Sequence, residues 1–246
     1  MKKTTLLSLL SALSLSSIVH AGGMGDSNFC CSAFMSLEGG YTWNTIDGYS
    51  FALLGTNTFI TSTETQDQYS ARLAAGMINM MDDQFGVTGE LGWGFYGKTT
   101  SNPNLVNNAV QIPGSSLTIS HTLSGFDALL GVAYLQPSYS LSLKAGALIQ
   151  NMQTHTTAVF APAFALPFVN SYSIKENKTA VLPEVKLGAA YNFNENWAIT
   201  GAYIFALGSN TKTTGAFNLN TQTGNLDINN QNPTINSLML GVQYTV

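Results

Sequence analysis

The sequence predicts an all-β fold: an eight-stranded antiparallel up-and-down transmembrane β-barrel with short periplasmic turns and long extracellular loops. Three observations carry that prediction. Eight segments alternate large apolar residues with small or polar ones, the connections between them alternate between short and long, and the charges inside the segments all fall on the polar face. Period-two alternation marks a strand with two unlike faces, and a lipid-facing wall around a polar lumen makes the faces differ in this way.

The segments start near residues 34, 68, 85, 119, 139, 179, 196 and 234. In the first, Met35, Leu37, Tyr41 and Trp43 oppose Ser36, Glu38, Gly40 and Thr42. The second sets Tyr69, Leu73 and Met77 against Ser70, Arg72 and Ala74. The third, within VTGELGWGFYG, sets Val87, Leu91, Trp93 and Phe95 against Thr88, Glu90, Gly92 and Gly94. Phe126, Leu130, Val132 and Tyr134 oppose Asp127, Leu129 and Gly131 in the fourth; Leu141, Leu143 and Ile149 oppose Ser142, Lys144 and Gly146 in the fifth. The sixth places Val181, Val185, Leu187 and Tyr191 opposite Glu184, Lys186 and Gly188. The seventh places Trp197, Ile199, Tyr203 and Phe205 opposite Ala198, Thr200 and Ala202. The last places Leu238, Leu240, Val242 and Tyr244 opposite Ser237, Met239, Gly241 and Gln243.

The short connections NMMDDQ (79–84), QPS (136–138) and NEN (194–196) carry turn chemistry. The long ones are rich in Thr, Asn, Ser and Gly. Tight turns at one end and long loops at the other are the layout of outer-membrane barrels. Aromatic residues near the strand ends mark interfacial belts. Trp43, Tyr69 and Phe95 belong to the outer belt, and Phe85, Tyr134, Tyr139, Phe193, Trp197 and Tyr244 to the inner one.

Seven charges lie inside the segments: Glu38, Arg72, Glu90, Asp127, Lys144, Glu184 and Lys186. A carboxylate facing hydrocarbon is costly, so Glu90 has to point inward. An eight-stranded lumen is only wide enough for side chains. The seven, nearly balanced in sign, are therefore expected to form a structural ion-pair network across it, because buried charges persist when paired.

The chain begins with Lys2 and Lys3, then an apolar run from Leu6 to Val19 and a small-residue site at Val19 and Ala21. This reads as a cleaved secretory signal peptide over residues 1–21, followed by a short periplasmic segment, 22–32, and the barrel, 33–246. The run is shorter than the ~20 residues of a spanning helix. Removal of the signal leaves 7 basic and 13 acidic residues, a formal charge of −6. Nucleic acid is excluded as a partner, since no basic patch remains to displace counterions.

Candidate chemistry is sparse. His121 opens the fourth segment and His155 sits in the third long loop, in THTT, without a nucleophile elbow or His-x-Ser signature. No catalytic residue, metal ligand set or cofactor is predicted. Cys30 and Cys31 are adjacent in a chain bound for an oxidising compartment. A vicinal disulfide, an intermolecular pair and weak metal binding all remain open. The third loop carries the apolar run AVFAPAFALPF (158–168), which suits folding over the barrel mouth, lying on lipopolysaccharide, or holding a partner. The fourth, SNTKTTGAFNLNTQTGNLDINNQNP, has glycine signals for a hairpin above the membrane.

From Ala33 to Val246 the chain resembles the small outer-membrane β-barrel family that includes OmpA transmembrane domains, OmpX-like and Opa-like proteins. GELGWGFYGKT, KAGALIQNMQ and LPEVKLGAAYNFNENWAITGAY are similar, more narrowly, to major-outer-membrane-protein-like paralogues of intracellular gammaproteobacteria. LGVQYTV is similar to the family's C-terminal assembly signal, with Val246 in place of the usual terminal aromatic. The resemblance implies a bacterial outer-membrane location, lipid and lipopolysaccharide as surroundings, and the barrel assembly machinery as a partner through the last strand. The function expected is non-enzymatic, with extracellular loops serving surface interaction, adhesion to a host or surface ligand, or envelope integrity. A narrow porin and a lipid A-modifying enzyme are the alternatives.

Overall fold

The computed structural model describes residues 31–46, 50–53, 56–59, 64–102, 106–107, 110–111, 116–159, 171–208, 210–219, 222–231 and 233–246. The expected signal peptide and Cys30 lie outside these residues, as does most of AVFAPAFALPF. In chain order the elements are β1 Cys31–Ile46, β2 Ser50–Leu53, β3 Thr56–Phe59, β4 Glu64–Met80 and β5 Phe85–Ser101. They continue with β6 Val106–Asn107, β7 Val110–Gln111, β8 Ser116–Leu135, β9 Tyr139–Val159 and β10 Ser171–Asn192. The last are β11 Trp197–Ala206, β12 Asn210–Leu219, β13 Gln222–Gln231 and β14 Thr234–Thr245.

Eight of them, β1, β4, β5, β8, β9, β10, β11 and β14, close into an antiparallel barrel in chain order, with β14 paired back to β1. The other six form the hairpins β2–β3, β6–β7 and β12–β13. The three short connections are the turns expected at one end of the barrel. In the last of them Asn194 Oδ1 accepts from the N–H groups of Asn196 (3.0 Å) and Trp197 (2.7 Å), an Asx turn.

Two boundaries differ from the sequence expectation. The first strand begins at Cys31, inside the segment read as periplasmic. The fifth and sixth strands run on to Val159 and back from Ser171, so His155 lies in β9 and not in a loop. Beyond the membrane both faces of these strands meet polar surroundings, so the contrast that reveals alternation fades. The fourth loop is a hairpin, but Gly215 and Gly224 sit within its ladder, opposite Leu226 and Phe217.

Register fixes the geometry of the wall. Following paired residues around the barrel from Phe34 gives Gly76, Glu90, Leu129, Gly146, Glu184, Ala206 and Ile235, and returns to β1 at Asn44. The circuit ends ten residues beyond its start, a stagger that tilts eight strands by about 40°. It also puts Glu90 and Glu184 on the inward face.

The barrel is inside-out. Leu130 is 72% and Leu240 69% exposed, as are large apolar residues along all eight walls, while Arg72 is 1% exposed. Phe85, Tyr134 and Tyr139 cluster near the tight turns, as do Trp197 and Tyr244; Tyr41, Trp43 and Tyr69 cluster towards the opposite rim. At that rim the β5–β8 register shifts between Phe95 and Lys98. Gly97 takes φ 102° in this bulge, a left-handed conformation that glycine adopts without strain. The extra residue flips the face pattern, leaving both Tyr96 and Gly97 buried and sending Lys98 outward.

Candidate functional site

The inward residues of the wall form layers. Near the tight turns Phe34 is buried beneath Lys144, whose Nζ lies 5.0 Å from the ring centroid. Above it is a belt of charge. Arg72 holds Asp127 with a fork, Nε–Oδ2 2.9 Å and Nη2–Oδ1 2.5 Å, and reaches Glu38 Oε2 at 3.0 Å and Glu90 Oε1 at 2.6 Å. Lys186 bridges Glu38 Oε1 (2.7 Å) and Glu90 Oε1 (2.8 Å), and Lys144 pairs with Glu90 Oε2. Glu90 thus meets all three cations. The alternation of β1, β4, β5, β8, β9 and β10 aims these groups inward. Gly92 makes room for them, since a Cβ there would come within 2.5 Å of Arg72 Nη2.

The structure brings six of the seven predicted lumen charges together and leaves out Glu184. That carboxyl is 1% exposed, yet neither oxygen has a hydrogen-bond partner among the described residues. Its placement in the network is corrected, and the cause lies in charge count and register. Three cations serve four carboxylates, and their donors are engaged by Glu38, Glu90 and Asp127. Glu184 is flanked in the ladder by Gly146 and Ala206, which offer no polar side chain. The pairs also skip strands: Lys186 of β10 reaches Glu90 of β5 across the lumen, so contact order along the chain does not describe them.

Towards the opposite rim an apolar layer follows, a single buried cluster of Tyr96, Leu123, Leu148, Met152, Leu182, Ile204, Ala206, Ile235 and Met239. Sequence reading placed Met239 inward but missed the layer as a whole. Its signal was the same parity carried further along β5, β8, β9 and β10. Beyond it are buried polar residues, among them Thr99, Thr156 and His121, whose Nδ1 lies 3.0 Å from Thr154 Oγ1. Charge within and an apolar wall without invert a water-soluble protein, in which exposed apolar patches rarely exceed a few hundred Å². The chain is a transmembrane β-barrel.

Outside this barrel's lumen, His155 Nε2 lies 3.0 Å from Ser173 Oγ on the outward faces of β9 and β10, with Lys175 opposite His155 in register. Both residues are exposed, and no carboxylate orients the imidazole among the described residues. Cys31 carries a free, exposed thiol at the start of β1. Among the described residues no group of His, Cys, Asp and Glu could hold a metal ion. In the hydrocarbon-facing wall, Ala75, Gly89, Ala128 and Ala145 floor a depression rimmed by Met77, Leu91 and Leu130.

No protein-family model matches the chain, and no curated protein does. Among solved structures it is similar to OprG, an outer membrane protein of Pseudomonas aeruginosa, with 15% identity, 87% of this chain and 96% of that chain covered, and a TM-score of 0.45. It is also similar to Ail, the attachment invasion locus protein of Yersinia pestis, in complex with the heparin analogue sucrose octasulfate, with 14% identity, 87% and 99% covered, and a TM-score of 0.37. The outer membrane protease OmpT of Escherichia coli matches with 10% identity, 91% and 100% covered, and a TM-score of 0.48.

Proposed function

We propose that the chain is an exported bacterial outer-membrane protein whose barrel is a sealed, non-catalytic wall, and whose extracellular strands and hairpins make its contacts with a host or other surface ligand. The observation that carries this reading is the stacking of the charge belt under the apolar layer. A water-filled path needs an unobstructed polar channel, and here Arg72, Glu90 and Lys186 cross the lumen beneath Leu148, Met152 and Ile204. Eight strands leave space for side chains only. By contrast β8, β9 and β10 rise well past the outer aromatic belt and offer a tall polar surface, where function on such a scaffold belongs.

Planar-bilayer recording of the refolded protein tests the seal: silence is expected, and reproducible single-channel steps would establish the porin instead. An epitope inserted after Asn220, between β12 and β13, is expected to be antibody-accessible on intact cells; inaccessibility overturns the topology. Support for a non-enzymatic role comes from the His155–Ser173 contact, which among the described residues has no acid to orient the ring. Expression is accordingly expected to leave lipid A mass unchanged, and a mass change abolished by His155→Ala would establish the enzyme.

A further inference from the structure

On the outward wall, β1 and β4 gather three aromatic rings and one carboxylate into a block of four. Their ladder sets Tyr41 opposite Tyr69 and Trp43 opposite Asp67, with the same outward parity as Leu37 and Leu73. Opposite residues on one face stand close together, and diagonal ones remain within reach of an aromatic side chain. Tyr41 uses the diagonal: its hydroxyl donates a hydrogen bond to the Asp67 carboxylate. The acid is thereby tied to the rings.

The rings are not stacked. Tyr41 meets Trp43 with 5.4 Å between centroids and Tyr69 with 6.0 Å, at an interplanar angle of 78° in each pair. Edge-to-face contacts leave ring faces uncovered, and Tyr69 is 83% exposed. A ring face is electron-rich, so a carboxylate beside it makes the patch attractive to a cation. Asp67 is exposed and, among the described residues, joins no salt bridge.

An interfacial belt explains the rings but not the acid. Tyr and Trp settle at a membrane interface because each joins an apolar ring to a polar tip, whereas a carboxylate at that level repels lipid phosphates. The patch also selects among cations. Magnesium and calcium ions take roughly six to eight oxygen ligands, and one carboxylate beside three rings falls short. A primary ammonium brings three N–H donors that ring faces satisfy poorly. A quaternary ammonium has no N–H and presents methyl groups, which suit ring faces with a carboxylate close by.

We propose that Tyr41, Trp43, Tyr69 and Asp67 form a binding site for a quaternary ammonium group of the choline type, on the outward wall at the level of lipid head groups. The methyl groups lie against the rings, Asp67 balances the charge, and Tyr41 positions Asp67. The site stands on the barrel wall itself and does not depend on the contacts proposed for the upper strands and hairpins.

The test uses the refolded full chain carrying Trp93→Phe and Trp197→Phe, which leaves Trp43 as the only tryptophan, with heat-modifiable mobility as the check on folding. In nonionic micelles, choline chloride is expected to change Trp43 fluorescence saturably with a millimolar midpoint. Sodium chloride at equal ionic strength and dimethylbutanol, the uncharged isostere of choline, are expected to leave it unchanged. Asp67→Asn is expected to raise the choline midpoint about fivefold, and Tyr69→Leu about threefold. In nanodiscs, replacing phosphatidylglycerol with phosphatidylcholine is expected to shift Trp43 emission in the parent chain but not in Asp67→Asn, which assigns the ammonium to a lipid head group; a response to free choline alone assigns it to a soluble ligand. Silence in both settings, equal responses to choline and dimethylbutanol, or a midpoint indifferent to Asp67→Asn overturns the site.

Discussion

Glu90 Oε1 lies 2.6 Å from Arg72 Nη2, and the same carboxylate also meets Lys144 and Lys186. One acid therefore touches all three cations inside a wall that faces hydrocarbon. Removing it leaves Lys144 without an acidic partner among the described residues, and Arg72 and Lys186 short of one each.

Glu90→Ala is expected to destabilise the barrel by about 3 to 5 kcal/mol, the usual cost of leaving buried charge uncompensated. Urea titration in detergent micelles, followed by heat-modifiable mobility, measures it. An unchanged midpoint would mean that the belt does not hold the wall together.

Glu184 should behave in the opposite sense. Because its buried carboxyl has no hydrogen-bond partner, Glu184→Met removes a polar group that folding leaves unsatisfied. A gain of about 1 to 3 kcal/mol is expected in the same titration. A loss as large as that of Glu90→Ala would show that Glu184 is held by a partner after all.

Gly92→Ala tests the room left for the guanidinium. The added methyl group overlaps Arg72 Nη2, so the fork on Asp127 has to shift, at a cost of about 1 to 3 kcal/mol typical of overpacking. Gly89→Ala, on the outward face where a Cβ meets only Leu130 at 3.4 Å, serves as the control and is expected to change the midpoint little.

Much of the wall was legible because lipid on one side and a filled lumen on the other impose a contrast at every second residue. Leu91, Trp93 and Phe95 against Glu90, Gly92 and Gly94 show it within a single strand. The contrast disappears where the wall leaves the membrane, so Thr154 and His155 read as loop although β9 continues to Val159. Parity also told which charges face inward. It could not tell which of them meet, since partners such as Lys186 and Glu90 stand on strands far apart in the chain.

By itself the sequence determined the number of barrel strands, their faces and which end carries the tight turns, all of which follow from local alternation and turn chemistry. Tertiary structure alone decided the rest. The ten-residue stagger of the closed barrel sets which inward side chains share a level, gathering Glu38, Arg72, Glu90, Asp127, Lys144 and Lys186 while leaving Glu184 against the apolar layer. Stagger is a property of the closed circuit, from Phe34 around to Asn44, and no single strand contains it.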